Sequence, residues 1–92
     1  MKYKFNDLEY ELIKNYRDGF NFEEIELKLT DYFYEYDYIF GDWAYGKLRL
    51  KGFFESNNKN VKKYNDIQFI DEYLEENCAT DCKHFLLKKL SR

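Results

Sequence analysis

Three groupings of residues have types and spacings that could do chemistry. The first is Cys78, Cys82 and His84. Cys-x3-Cys-x-His puts three soft ligands in one short stretch, and zinc would need a fourth, which only a carboxylate such as Asp81 or a partner chain could provide. Cys-x3-Cys is not the redox Cys-x-x-Cys pattern, and in a reducing cytosol two thiols that pack as small hydrophobes are expected rather than a disulfide. The second grouping is Tyr45, Lys47, Arg49, Lys51 and Phe53. At alternate positions of a strand they present phosphate-pairing cations between two rings that can stack on bases. The same side chains would also simply solvate the outer face of a one-sided sheet. Lys51-Gly52-Phe53-Phe54 shares part of the aromatic strand motif of RNA-recognition domains, without its remaining aromatic and small residues. The third grouping is the pair of expected turns Arg17-Asp18-Gly19 and Gly41-Asp42-Trp43, each with a carboxylate beside glycine at a strand end. Trp43 could raise a nearby carboxylate's pKa by desolvation. Equally, Asp bonds its own backbone in turns, Arg17 can pair with Asp42 or Asp18, and Trp43 can cap the core. One His, no serine before Ser56 and no phosphate-cradling glycine loop leave hydrolase or nucleotide chemistry without its parts. A non-enzymatic chain with no cofactor is expected.

The element that must position the second and third groupings is Tyr36 to Phe54, which holds the only tryptophan and three of the four glycines. It reads as a β-hairpin whose four-residue connection, Asp42 to Tyr45, lies between Gly41 and Gly46. In its second arm Gly46, Leu48, Leu50, Gly52 and Phe54 share a core face, opposite the basic one. Lys47 to Lys63 carries six basic residues against one acidic, although the chain's net charge is −3. Such a strip can steer a polyanion or pair with the domain's own acidic helices.

Around the hairpin, Lys2 to Phe5 and Leu8 to Tyr16 alternate as two strands about an Asn6-Asp7 turn. In the second strand Leu8, Tyr10, Leu12, Lys14 and Tyr16 share a face, with Ile13 the exception. Asn21 and Glu24 mark a helix start as a capping box, and the stripe Phe22, Ile25, Leu29, Tyr32 and Phe33 carries that helix to near Tyr34. After a polar turn, Val61 to Tyr64 suggests a short edge strand. Asn65 and Gln68 then cap a second helix with Ile67, Ile70, Tyr73 and Leu74 inward. Lys83 to Leu90, apolar on both faces through Phe85-Leu86-Leu87, suits a strand inside a sheet.

The order ββαβββαβ predicts one α+β domain over residues 1–92, a mainly antiparallel sheet covered by two helices. If the short strands are ignored, βαββαβ also permits a ferredoxin-like sandwich. With aromatics at 22% of residues, rings must supply much of the burial. The sequence has neither a long apolar run nor a signal peptide, so a cytosolic location and no membrane contact are expected.

The motifs Tyr16-Arg17-Asp18-Gly19-Phe20-Asn21, Tyr36-Asp37-Tyr38-Ile39 and Gly41 to Phe54, with the Cys78/Cys82 spacing, resemble the YutD-like family of small bacterial proteins. Ala44 stands where that family's pattern has glycine, and Lys47 where glutamine is usual. The resemblance implies a single cytosolic α+β domain with no established activity, and gives no catalytic role to any motif residue. The residues themselves point to a binding module that uses Trp43 and Tyr45 as anchors, with Lys47, Arg49, Lys51 and Phe53 beside them. A protein partner is favoured because exposed aromatics on a mixed-charge surface typify protein interfaces. Single-stranded RNA on the basic face is the alternative, and a thiol or metal site at Cys78/Cys82/His84 a further one.

Overall fold

The computed structural model describes residues 1–77 and 81–90. Among the described residues five strands form one sheet: β1 (Lys2–Phe5), β2 (Leu8–Tyr16), β3 (Tyr38–Ala44), β4 (Lys47–Phe53) and β5 (His84–Lys89). Their order is β1-β2-β5-β3-β4, and every neighbouring pair is antiparallel. A ferredoxin-like sandwich packs both its helices on one face of the sheet, whereas here the two helices pack on opposite faces, so that alternative is excluded. β5 lies in the middle of the sheet, which is why Phe85 and Leu87 serve one face and Leu86 the other.

Helix α1 (Phe22–Lys28) begins where the sequence marks it, with the Asn21 side chain accepting the Glu24 N–H at 3.0 Å. It stops short of Tyr34. Leu29, buried in the core, and Thr30 are both extended, and Asp31–Phe33 forms a separate 3-10 turn. Helix α2 (Ile70–Asn77) follows two 3-10 turns, Lys63–Asn65 and Ile67–Phe69. Its approach is capped by Asp66 rather than by Asn65. The Asp66 carboxylate accepts from Ser56 Oγ at 2.6 Å, from Gln68 Nε2 at 2.9 Å and from Gln68 N at 3.1 Å, and these bonds hold its pKa below the ordinary value. Asn65 instead ties the loop by accepting the Lys62 N–H at 2.6 Å. The expected edge strand at Val61 to Tyr64 does not form: Val61 and Lys62 have no regular structure, Lys63 and Tyr64 belong to a 3-10 turn, and one parallel bridge, Phe54 to Asp66, lies just beyond.

The two helices lie on opposite faces. Ile25 and Leu29 of α1 join Phe5, Tyr10, Ile39, Leu48, Phe85 and Leu87 in the larger cluster, while α2 lays Ile70, Tyr73 and Leu74 on Tyr38, Phe40 and Phe53. Each buried ring or branched chain contributes roughly 1.5–3 kcal/mol, so neither face of β3 and β4 can be left to water. A β-bulge between Leu12 and Lys14 explains why Ile13 breaks the alternation of β2. Beyond it the pleat reverses, so that Lys14 and Tyr16 oppose Leu86 and His84 on the α2 face, instead of sharing the core face with Tyr10 and Leu12.

Candidate functional site

The hairpin is tighter than its glycines suggest. β3 and β4 are joined by two residues, Tyr45 and Gly46, with φ of 55° and 74°. Positive φ at both central positions is the type I′ turn, whose twist matches that of the strands. Gly41 and Asp42 accordingly lie inside β3 and not in a turn. Gly41 is required there by packing, because a Cβ would come within 2.1 Å of the Phe85 ring.

This register decides what the basic residues do. Asp42 stands directly opposite Arg49, and Phe40 opposite Lys51, on the face that α2 covers. Asp42 is 2% exposed and receives both Arg49 Nε (3.0 Å) and Nη2 (2.6 Å), while Nη2 also donates to the Asn77 carbonyl at 3.1 Å. The paired carboxylate raises the Arg49 pKa above its ordinary value. Lys51 places its ammonium 5.1 Å from the Phe53 ring, 5.5 Å from Tyr73 and 5.7 Å from Tyr64. Burial lowers its pKa. Phe53 is 1% exposed and packs edge-on to Tyr73, so it is a core residue and not a surface anchor. Lys47 is exposed, and Tyr45 at the turn is fully so.

Beside β4 the α2 face opens into a cleft of about 480 Å³ lined by Lys51, Phe53, Lys63, Tyr64, Tyr73 and Glu76, among others. In the sequence Tyr64 reads only as the end of an edge strand and Tyr73 as a core residue; their position around Lys51 depends on α2 crossing that face. The Asp42–Arg49 pair was hidden for a related reason. A four-residue connection would leave Asp42 in the loop, whereas the two-residue turn sets it across from Arg49.

Trp43, on the opposite face, is half-buried. Its Nε1 donates to the Gly19 carbonyl at 2.8 Å, and Lys83 stacks its ammonium 5.0 Å from the ring. It thus locks the turn after β2 to β3. In that turn Arg17 and Asp18 both have positive φ, and Gly19 lies so close to the His84 backbone that a Cβ would come within 2.6 Å. Arg17 pairs with Asp81 at 3.8 Å rather than with Asp42 or Asp18. All these contacts hold the strands together.

At the start of β5 the His84 ring stacks on Tyr16, with centroids 4.8 Å apart, and its Nδ1 is 3.1 Å from the Cys82 carbonyl and 4.0 Å from Cys82 Sγ. Cys82 is disulfide-bonded, which corrects the expectation of packed thiols. That expectation came from cellular redox poise alone, which says nothing of the geometry of this stretch. A disulfide sulfur is no thiolate ligand for zinc. Cys78 lies outside the described residues, and among the described residues no three His, Cys, Asp or Glu side chains converge on a metal position.

Comparison with known proteins agrees with this architecture. The family profile described as "Putative antitoxin YutD-like" matches residues 4–88. "Putative antitoxin YutD" of Bacillus subtilis is 44% identical over 84 residues, which are 91% of this chain and 92% of that one. A solution NMR structure of YutD from B. subtilis superposes with a TM-score of 0.81 at 41% identity, covering 98% of this chain and 82% of that one.

Proposed function

This chain belongs to the YutD-like family, and from that premise we propose that it is a cytoplasmic, non-enzymatic module that binds a protein partner through the β3–β4 hairpin, in the manner of an antitoxin. The name of its Bacillus relative suggests the role. The observation that carries the choice of a protein over RNA is the commitment of the hairpin's cations within the fold. Arg49 is held by Asp42 and Asn77, and Lys51 lies among three rings. A single-strand platform needs such cations free for phosphates and its rings free for bases. What the hairpin offers instead is an exposed tyrosine on a rigid turn, with Lys47 beside it, the type of anchor that dominates protein interfaces. Among the described residues no helix is long and apolar enough to cross a membrane.

The test is depletion and rescue. With the gene under a repressible promoter in its host, depletion should stop growth if the chain holds a toxic partner in check. Wild type should restore growth, and Tyr45→Ser with Lys47→Ser should not, while folding normally by circular dichroism. Unimpeded growth on depletion would remove the antitoxin role. Rescue by the double variant would remove the hairpin tip from the interface.

A further inference from the structure

Resting on the protein-binding reading above, we propose that the outer edge of β4 is a strand-addition site for an extended segment of the partner whose side chains alternate between acidic and apolar. β4 ends the sheet on one side. The two-residue turn makes Ala44 and Lys47 a hydrogen-bonded pair, so odd-numbered residues of β4 turn their backbone groups toward β3 and Leu48, Leu50 and Gly52 turn theirs outward. The fold itself bears out that parity. Phe54, next in the outward series, donates its N–H to the Asn65 carbonyl at 2.7 Å and accepts from the Ile67 N–H at 2.9 Å. The protein thus adds one rung to its own edge at Phe54. Among the described residues no other segment continues it along Leu48 to Gly52.

The side chains along this stretch, in which Leu50 is half-buried and Leu48 and Gly52 are buried, specify the occupant. Lys47, exposed on the α2 face, and Lys63 at the adjoining cleft are the cations that can meet a partner's carboxylates. Arg49 and Lys51 on that face are engaged by Asp42, Asn77 and the rings, and Leu48 and Leu50 lie on the other face. An added strand places its own side chains opposite these at each rung, so acidic residues on the α2 face and apolar ones on the α1 face complement it. A second copy of the chain is disfavoured, because β4 against β4 would oppose cation to cation. Two exposed tyrosines flank the edge. Tyr64 lies 5.7 Å from the Lys51 ammonium, and Tyr32 lies 5.9 Å from the Tyr36 ring, which sits over Gly52. Glu72 and Glu76 line the α2 side of the cleft, which places an entering carboxylate away from them, against the exposed Lys63.

The experiment titrates the isotope-labelled full chain with acetylated, amidated Glu-Val-Glu-Leu-Glu-Val-Glu and, separately, with Lys-Val-Lys-Leu-Lys-Val-Lys, following backbone amides by NMR. The acidic peptide should bind about tenfold tighter, shifting the amides of Leu48, Leu50 and Gly52 and protecting them from exchange. Leu50→Pro removes an outward N–H and should abolish this. Lys47→Glu with Lys63→Glu, both at exposed positions, should reverse the preference without altering the backbone. Equal binding of both peptides, shifts centred away from β4, or no shift at millimolar peptide would overturn the proposal. Depletion separates this result from the broader reading. Rescue of growth by Leu50→Pro as well as by wild type would refute strand addition and leave protein binding standing. Edge binding of the acidic peptide in a host that grows unimpeded on depletion would support strand addition and remove the antitoxin role.

Discussion

At the scale of single residues, the basic hairpin face is an internal structure with two kinds of cation. Arg49 is half-exposed at its side chain but serves a carboxylate that is almost wholly buried. Removing it leaves Asp42 with no charged partner, and loss of charge-assisted bonds to a buried group outweighs what an exposed ion pair is worth. Arg49→Met should therefore lower unfolding stability by about 2 kcal/mol, measured by urea denaturation, and Arg49→Lys should recover only part because lysine cannot match the two-pronged geometry. Lys51 has the opposite sign. Its folded-state pKa lies below the ordinary lysine value because burial disfavours the charge, so the penalty is present in full below the folded pKa. It disappears as pH rises through the folded pKa to the unfolded one. Lys51→Met should accordingly raise the melting temperature at neutral pH, with the gain shrinking as pH approaches the ordinary lysine value near 10.4. A constant gain from pH 7 upward would mean that the charge costs nothing there. These pairings were beyond the sequence because each depends on a register and on a helix crossing; only the residue types and their shared face were readable.

At the scale of elements, local patterns were dependable where one signal acted and failed where two competed. The ends of β1 and β2 and the start of α1 follow from alternation, an Asn-Asp turn and an Asn cap. At the hairpin, glycine drew the turn outward to Gly41, whereas Gly41 is there to admit the Phe85 ring and only Gly46 serves the turn. Apolar spacing likewise carried α1 past Leu29, although Leu29 reaches the core from an extended backbone. The turn yields a prediction that separates stability from binding. Tyr45 occupies a left-handed position that asparagine tolerates better, and Asn-Gly is the favoured type I′ pair. Tyr45→Asn should stabilise the fold by about 0.5–1 kcal/mol in thermal denaturation while failing to rescue growth after depletion. A variant that rescues fully would show that the ring at position 45 is not the anchor.

At the scale of the molecule, a mainly antiparallel sheet with two helices was legible from element order, and the consequence of placing those helices on opposite faces was not. One-sided amphipathicity in β4 looks the same whether its charged face meets water or a second helix, because Arg49 and Lys51 reach past apolar neighbours to their partners. With both faces of β3 and β4 covered, the parts of the hairpin left for a partner are its tip and the β4 edge. The most direct measurement is photocrosslinking inside the host cell, with a benzophenone amino acid in place of Tyr45. The account expects one protein adduct, lost when Lys47 is changed to Ser and unaffected by RNase. RNase-sensitive adducts, or none where the chain is abundant and folded, would contradict it.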